Sequence, residues 1–569
     1  MHRSADSKDF RQEEPVLSPP PARSAPITLY HWLVVILAAS GWLFDCMGQR
    51  IFVLSREPAL RELLGTGAAD DDIRWWGGVA TTVLMVGWAT GGILFGLLSD
   101  RYGRVRTIVS TLLAYTLFSG LSGFAHSAAG FLFWRLLFGI GVGGMFGAAT
   151  TLVAESVPPH ARTVALGLLQ SFSSLGTMLA SWMSLGIPPG RENYWGHFSG
   201  WQVLSFAGVL PAVLAVPMTL ILKEPEAWKK AKAEAAASPG AKSVGSLADL
   251  FRHSRWRRHM LVGVCLGVAG MVGLWGIAFF SPELITTAFK NRPLGTNDVL
   301  KPAALCAALN DATNPAVARL KAKLDPEVVR NLQRIHADAT IPAPTLQSLV
   351  AELNRVIQNE SLYETNAVGS LALKKSTRNQ IQVAERTKER EDVIFLNRQL
   401  VEQLFPGMIR ELQRTIDRTR SRGTMLQDVG AMLGMFCFTF AAGYLNRRTA
   451  FLGAFVLCLG VVGFVFASLK TAADVNWMLP LVGFSTLSAF AGYSIYFPEL
   501  FPTRLRGTGV GFCYNTVRYL AAPFPFLLGW LSTLMPFRTV AVLMCGIYLL
   551  GIVALIWAPE TKGQPLPED

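Results

Sequence analysis

A helix needs about twenty apolar residues in a row to cross some 30 Å of hydrocarbon, and this chain provides such a run twelve times. Six runs precede a basic break: Tyr30 to Leu54, Trp75 to Leu98, Thr107 to Ala125, Phe131 to Val153, Val164 to Ile187 and Trp201 to Leu222. Six follow it: Met260 to Phe280, Met425 to Tyr444, Ala450 to Ser468, Trp477 to Phe497, Val510 to Leu531 and Phe537 to Ala558. In lipid every backbone polar group has to be satisfied within the chain, so runs of this length predict helices. The expected fold is an all-α membrane protein of twelve transmembrane helices. Its composition agrees: 51% of the 569 residues are hydrophobic and only 16% are charged, against about 25% charged in soluble domains.

The net charge of +13 would suit a nucleic-acid binder if the basic residues formed one face. They cluster instead in alternate short loops, at Arg101, Arg104 and Arg106, at Arg162, at Arg447 and Arg448, and at Arg504 and Arg506, as well as in the segment Lys223 through Arg258. The intervening loops hold fewer, among them Arg191, Lys470 and Arg538. This is the positive-inside pattern, and it places both termini and the central break in the cytoplasm. The bilayer and a small solute are therefore the expected partners, and nucleic acid is not. Residues 1–28, polar and proline-rich, lack the apolar core of a secretory signal and read as a disordered cytoplasmic tail; residues 560–569 form a second tail. Six of the seven cysteines fall within apolar runs, and only Cys306 lies in a water-facing segment, so neither a disulfide framework nor a metal site is implied.

The chain also repeats itself. AESVPPHARTVALG closes span four and PELFPTRLRGTGVG closes span ten, and both spell ExxPxxxRxxxxG, through Glu155, Pro158, Arg162 and Gly167 and through Glu499, Pro502, Arg506 and Gly511. The same motif at the same loop of each six-span half points to duplicated halves. The halves are residues 29–222 and, in the second, span seven at 259–283 with spans eight to twelve at 424–559. The linker at 223–258, rich in Ala, Lys and Ser, reads as a tether containing an amphipathic surface helix. Residues 284–423 form an insertion that the topology puts outside the cytoplasm. Asp325 before Pro326 marks a helix start there. Leu346, Leu349, Val350, Leu353, Val356 and Ile357 recur at helical spacing, as do Leu400, Val401, Leu404, Ile409, Leu412 and Ile416, the latter run kinked at Pro406. A small helical cap is expected, and its partner is not readable.

The loop GLLSDRYGRVR, from Gly96 to Arg106, resembles the signature loop of the major facilitator superfamily. RLLFGIGVGG from Arg135 to Gly144, the paired ExxPxxxR loops and PETKG from Pro559 to Gly563 extend the resemblance to both halves. It implies two six-helix bundles around a central cavity, with substrate near the midplane and release by rocking of the halves. It also implies a cytoplasmic gate of Gly96, Asp100, Arg101, Gly103 and Arg104, in which the acid faces the N-terminal end of span eleven and the charges pair with those near Glu155. Arg162, Glu499 and Arg506 belong to the same gating loops. Simple positive-inside anchoring accounts for Arg106 but not for the spacing of Gly96, Asp100, Gly103 and Arg104. The matching loop of the second half, GYLNRR, lacks the acid and the glycine, so a second latch is expected to be degenerate.

Arg162, Gln170 and Gly176 in span five have a spacing similar to both sugar porters and monocarboxylate symporters. PETKG leans toward sugars, but span seven lacks the paired glutamines of sugar porters and span ten lacks their PxxW element. GWLFDCMGQR, Gly41 to Arg50, resembles the first span of proton symporters for sialate, lactate and related acids, which carry DxxD there; in this chain the second acid is Gly48, which leaves Asp45 alone. The resemblance thus implies a proton symporter of an organic anion such as a monocarboxylate, a sialate or an aromatic acid. A sugar or polyol porter and a transporter-like nutrient receptor are the alternatives.

Position supplies the candidate site. Asp45 lies roughly 22 Å into its span, and Arg518 roughly 17 Å into span eleven, near the midplane. A carboxyl out of water is poised to take up and release a proton, and an arginine offers a carboxylate two parallel hydrogen bonds that a neutral sugar does not need. The alternative is that Asp45 pairs with Arg50 or an arginine on another helix and never titrates. Arg50 is expected to snorkel to the outer interface and Asp428 to sit in the first turn of span eight, favoured by the helix N-terminus. Arg135 serves as an anchor or as a proton-relay partner. Gln170, Ser173, Ser174, Asn515 and Tyr493 are substrate-site candidates by position, whereas Trp275 reads as packing. The chain has no GxxxxGK[ST], HExxH or GxSxG, so it is expected to be neither an ATP-driven pump nor an enzyme, and it needs no cofactor.

Overall fold

The computed structural model describes residues 26–65, 70–190, 194, 196–237, 244–289, 294–295, 322–333, 343–359, 394, 397, 410–532 and 534–568. Arg191, Cys306, Pro406, Leu400, Val401, Leu404, Ile409 and all but the end of the N-terminal tail lie outside them. Among the described residues the regular structure is helical, apart from one isolated bridge between Tyr194 and Phe198.

In the first half, α1 (Leu29–Leu64), α2 (Asp70–Tyr102), α3 (Arg104–Ser122), α4 (Ala128–Ser156) and α5 (Pro159–Gly186) are continuous. The sixth span is jointed: α6 (Gly200–Ala207) passes through a 3-10 turn, Leu210–Leu214, at Pro211 into α7 (Ala215–Ile221). The linker contains α8 (Glu226–Ala237) and α9 (Leu247–Arg252). Span seven begins as α10 (Ser254–Met271), widens into a π-helical segment at Val272–Ile277, tightens at Ala278–Phe280 and ends as α11 (Ser281–Ala288). A side chain at 273 would not fit, since the Tyr548 hydroxyl lies 2.3 Å from where a Cβ on Gly273 would be. In the insertion, α12 (Pro326–Gln333) starts where the Asp-Pro signature predicts, with Asp325 accepting from the Glu327 amide at 2.7 Å. α13 (Ala343–Asn359) buries Leu349, Val350, Leu353, Val356 and Ile357.

The second half continues with α14 (Arg410–Tyr444), α15 (Arg447–Ser468), α16 (Val475–Leu500), α17 (Arg506–Ala521), α18 (Phe524–Leu531), α19 (Phe537–Met544) and α20 (Ile547–Ala554). Among the described residues eleven helices are long and apolar enough to cross a membrane. The remaining expected span, the eleventh, is split into α17 and α18 at Pro523, whose ring cannot continue the amide ladder. Eight is longer than its apolar run: α14 extends inward from Arg410 through a charged stem, so Asp428 lies in the middle of a helix rather than in its first turn.

The helix ends follow local chemistry. Ser127 caps α4 by accepting from the Gly130 amide at 3.1 Å, and the Ser199 amide donates to Gln202 at 2.9 Å at the start of α6. α2 and α3 are joined by Gly103 alone, at φ 121°, where a Cβ would stand 2.3 Å from the Glu224 carboxylate. Packing repeats in the two halves. A Cβ on Gly91 would lie 2.0 Å from the Ile140 carbonyl oxygen, and one on Gly143 2.2 Å from that of Trp88, so α2 and α4 touch backbone to backbone. Gly430 and Gly434 give α14 the same approach to α16, at 2.0 Å from the Pro480 oxygen and 2.1 Å from the Phe484 oxygen. The halves meet mainly along α2 with α17 and α5 with α14.

Gly91→Leu is expected to force α2 and α4 apart, at a cost of about 1–3 kcal/mol. Thermal unfolding of detergent-purified protein should show a midpoint several degrees lower for Gly91→Leu and no change for Gly453→Leu, whose site has no atom within 4 Å. Equal midpoints would contradict the close approach.

Candidate functional site at the interface of the halves

Asp45 on α1 is fully buried, and neither carboxylate oxygen has a hydrogen-bond partner among the described residues. A buried polar atom left this way costs free energy on the order of 1–3 kcal/mol or more, so the position is not one that stability alone selects. Arg50 and Asp428 pair with each other, Nη2 to Oδ2 at 2.5 Å, joining α1 to α14 across the halves. Two expectations are corrected here: Arg50 does not snorkel, because a carboxylate on the facing helix meets it first, and Asp428 does not act at a helix terminus.

Arg518 lies on α17 in the other half, 3% exposed. Its Nη1 donates to the Tyr514 carbonyl at 2.7 Å and to Asn515 Oδ1 at 2.8 Å, both on its own helix, while Nε has no partner among the described residues. The guanidinium sits 3.8 Å above the Trp88 ring and 4.6 Å from the Tyr514 ring. Trp88 meets Trp275 edge-on at 6.4 Å. Tyr514 stacks on Phe146 at 3.7 Å, and Phe146 abuts Trp42 at 5.3 Å, one turn before Asp45. Among the described residues no ion pair joins Asp45 and Arg518. The arrangement places an unpaired acid and a cation with no carboxylate partner on opposite sides of one interface.

The other sequence-derived candidates divide. Asn515 orients Arg518 and donates to the Gly511 carbonyl at 2.9 Å; only a glycine at 92 leaves it room, since a Cβ there would fall 2.0 Å from its amide. Gln170, Ser173 and Ser174 are buried on α5, which packs against α1, and Gln170 Oε1 and Ser174 Oγ have no partner among the described residues. Tyr493 is committed to packing: its hydroxyl donates to the Leu266 carbonyl at 2.7 Å and its ring stacks on Phe497 at 5.0 Å. Arg135 is fully buried among the rings of Phe52, Phe131 and Phe138, 4.9 to 5.5 Å away, with one hydrogen bond, to Ser205 at 3.3 Å. The aromatic lining escaped the sequence reading. A tryptophan in an apolar span carries no mark of its partner, although Tyr514 and Arg518, four residues apart, do share a helix face.

The linker-bearing face is closed by charge. Asp100, fully buried, accepts from the amides of Gly507 at 3.0 Å and Thr508 at 2.7 Å and from the Thr508 hydroxyl at 2.6 Å, at the N-terminus of α17. Arg104 lies 3.1 Å from Asp100 and bridges to Glu155 at 3.0 Å, and Arg506 reaches Glu155 from the other half at 2.5 Å. A Cβ on Gly96 would stand 2.7 Å from the Gly507 carbonyl oxygen. Arg162 lies half-buried among Glu499, Arg506, Glu155 and Arg447. In the second half, Arg447 pairs with Glu499 at 2.9 Å and reaches Thr163 at 2.8 Å, so the arginine–glutamate part of the latch is kept although the acid and glycine of the loop are not.

The linker is more than the tether that its composition suggests. Glu224 accepts from the amides of Arg104, Val105 and Arg106 at 2.7 to 3.2 Å, and Trp228 Nε1 donates to the Asp100 carbonyl at 2.6 Å. Arg101 donates to the Gly245 carbonyl at 3.2 Å, while Arg504 of the second half pairs with Asp249 at 2.6 Å.

Comparison with known proteins gives this geometry a family. Over 201 residues the chain is 31% identical to the niacin transporter NiaP of Acinetobacter baylyi, covering 35% of this chain and 42% of that protein. Over 212 residues it is 28% identical to the cis,cis-muconate transport protein of the same organism, covering 37% and 48%. The chain thus spans less than half the length of these relatives. Among solved structures it is similar to the proton:xylose symporter XylE, with a TM-score of 0.54 at 14% identity over 94% of this chain and 98% of that one, a likeness of fold. The sequence profile of the Major Facilitator Superfamily matches residues 29–335, more than half of the 569 residues, and the chain belongs to that superfamily.

Proposed function

We propose that the protein is a secondary active transporter that moves a small organic anion, preferably a carboxylate on a flat unsaturated or aromatic body, by proton symport with alternating access. The observation that carries this reading is Arg518: a buried guanidinium with no carboxylate partner among the described residues, flanked by Trp88 and Tyr514. A substrate carboxylate would complete its hydrogen bonds, and the rings would cover the planar remainder of the molecule. That relatives are named for niacin and cis,cis-muconate supports an acid over a sugar.

In this mechanism Asp45 binds the proton. Neutralised, it removes the cost of an unpaired charge in the closed interface, so that closing over the anion is favoured only when both ligands are aboard. Gln170, Ser173, Ser174 and Asn515 contribute polar contacts, and Arg135 relays charge beyond Asp45. Arg50–Asp428 closes the insertion-bearing face; Asp100, Arg104, Glu155 and Arg506 close the linker-bearing face. The first is extracytoplasmic and the second, with both termini, cytoplasmic in a cell membrane, in line with the distribution of Arg and Lys.

Proteoliposomes with an imposed proton gradient provide the test, comparing nicotinate, benzoate, lactate, sialic acid and a hexose. Gradient-driven accumulation of the planar acids is expected. Hexose uptake insensitive to pH would instead establish a sugar porter, and binding without accumulation a receptor. Asp45→Asn should abolish accumulation while sparing substrate exchange at equal pH; accumulation at the wild-type level would refute the proton role. Arg518→Gln should raise KM for the acid at least roughly tenfold, the loss of charge-assisted hydrogen bonds worth about 1.5–3 kcal/mol. Asp100→Asn should loosen the linker-bearing face, seen as several-fold faster labelling of a Thr151→Cys thiol, one turn from Glu155, by an impermeant maleimide applied from that side.

A further inference from the structure

Two of the cavities formed by the described residues open on the linker-bearing face. The larger, about 500 Å³ between α3 and the end of span six, holds Arg106 opposite Glu224, so its charges are balanced. The other, about 410 Å³, lies between the start of α10 and the end of the last span and is lined by Ser254, Arg255, Arg258, His259, Trp557 and Pro559. Its lining contains two arginines and no acid.

The spacing 254, 255, 258 and 259 puts these side chains on one face of the first turns of α10, while Arg257 points elsewhere. Arg255 and Arg258 are exposed and form no ion pair with a described acid. The Arg255 guanidinium rests 4.7 Å from the Trp256 ring, and the His259 ring is anchored by a 2.8 Å hydrogen bond from Nδ1 to the Leu500 carbonyl. The nearest acid along the chain, Glu560, is turned to the amides of Arg447 at 2.9 Å and Arg448 at 3.2 Å. The cavity is therefore a standing positive site.

Its depth narrows the ligand. The apolar run of span seven begins at Met260, so Arg258 and Arg255 sit roughly 3 and 8 Å from its edge, at the level of lipid headgroups. Trp557, which lines the cavity, is 53% exposed, as an interfacial tryptophan would be, and exposed apolar side chains such as Leu261 and Ile556 follow on the same two spans. A headgroup phosphate is the anion found at this depth.

We propose that this cavity binds the headgroup phosphate of an anionic phospholipid, held by Arg255 and Arg258, with Trp557 at the glycerol level and the acyl chains along Leu261 and Ile556. Bound there, the lipid ties the start of span seven to the end of span twelve, next to the point where the linker holds the second half through Asp249 and Arg504.

The test uses the full chain purified in a neutral detergent, with thermal unfolding followed as short-chain phosphatidylglycerol, phosphatidylcholine or inorganic phosphate is added. Phosphatidylglycerol should raise the midpoint by several degrees, and the other two should not. R255Q/R258Q should weaken the apparent affinity roughly 30-fold, each arginine near an anionic lipid surface contributing about equally, whereas R257Q should leave it unchanged. If the double variant does not fold, Ser254→Glu, which keeps both arginines and adds a negative charge to the rim, should weaken binding in the same direction. The proposal is overturned if phosphatidylglycerol acts equally on wild type and on whichever of these variants folds, if R257Q weakens binding as much, or if phosphatidylcholine or free phosphate reproduces the rise.

Discussion

A charge withdrawn from water has to be answered by another group, and that constraint organises the whole molecule. On the linker-bearing face the carboxylates are answered: Asp100 meets the amide end of α17, and Glu155 is shared by Arg104 and Arg506. On the opposite face Arg50 and Asp428 answer each other. Between them, among the described residues, the Asp45 carboxylate has no hydrogen-bond partner and Arg518 has no carboxylate to pair with, only the Tyr514 carbonyl and Asn515 on its own helix. Carboxylates paired with cations at both ends and an unpaired one in the middle suit a device whose ends open in turn and whose centre waits for a ligand.

The duplication seen in ExxPxxxR reappears as packing. Glycines bring α2 to α4 and α14 to α16 by the same backbone approach, so each bundle has one closely packed helix pair. The seam runs between these pairs, along α2 with α17 and α5 with α14, where Gly96 and Gly92 clear room for the Gly507 backbone and the Asn515 amide.

Much of this was legible in the sequence. Apolar length determines where helices cross, and the latch can be read from Gly96 through Arg104 because its residues are consecutive. What escaped depends on partners distant in the chain. Arg50 and Asp428 are 378 residues apart, and each has an ordinary local role that the pairing overrides. Trp88, Phe146 and Tyr514 look like filling until Arg518 is set among them. The linker reads as a tether because its composition is bland, but its few distinctive residues, Glu224, Trp228 and Asp249, are the ones that dock.

The widened stretch at Val272–Ile277 carries Trp275 to the edge of Trp88, in the wall around Arg518. A π-turn holds one residue more than the ordinary pitch requires, so span seven stores slack beside the proposed binding wall. The wall around Arg518 is therefore shaped by the winding of a single helix as well as by the packing of one bundle on the other.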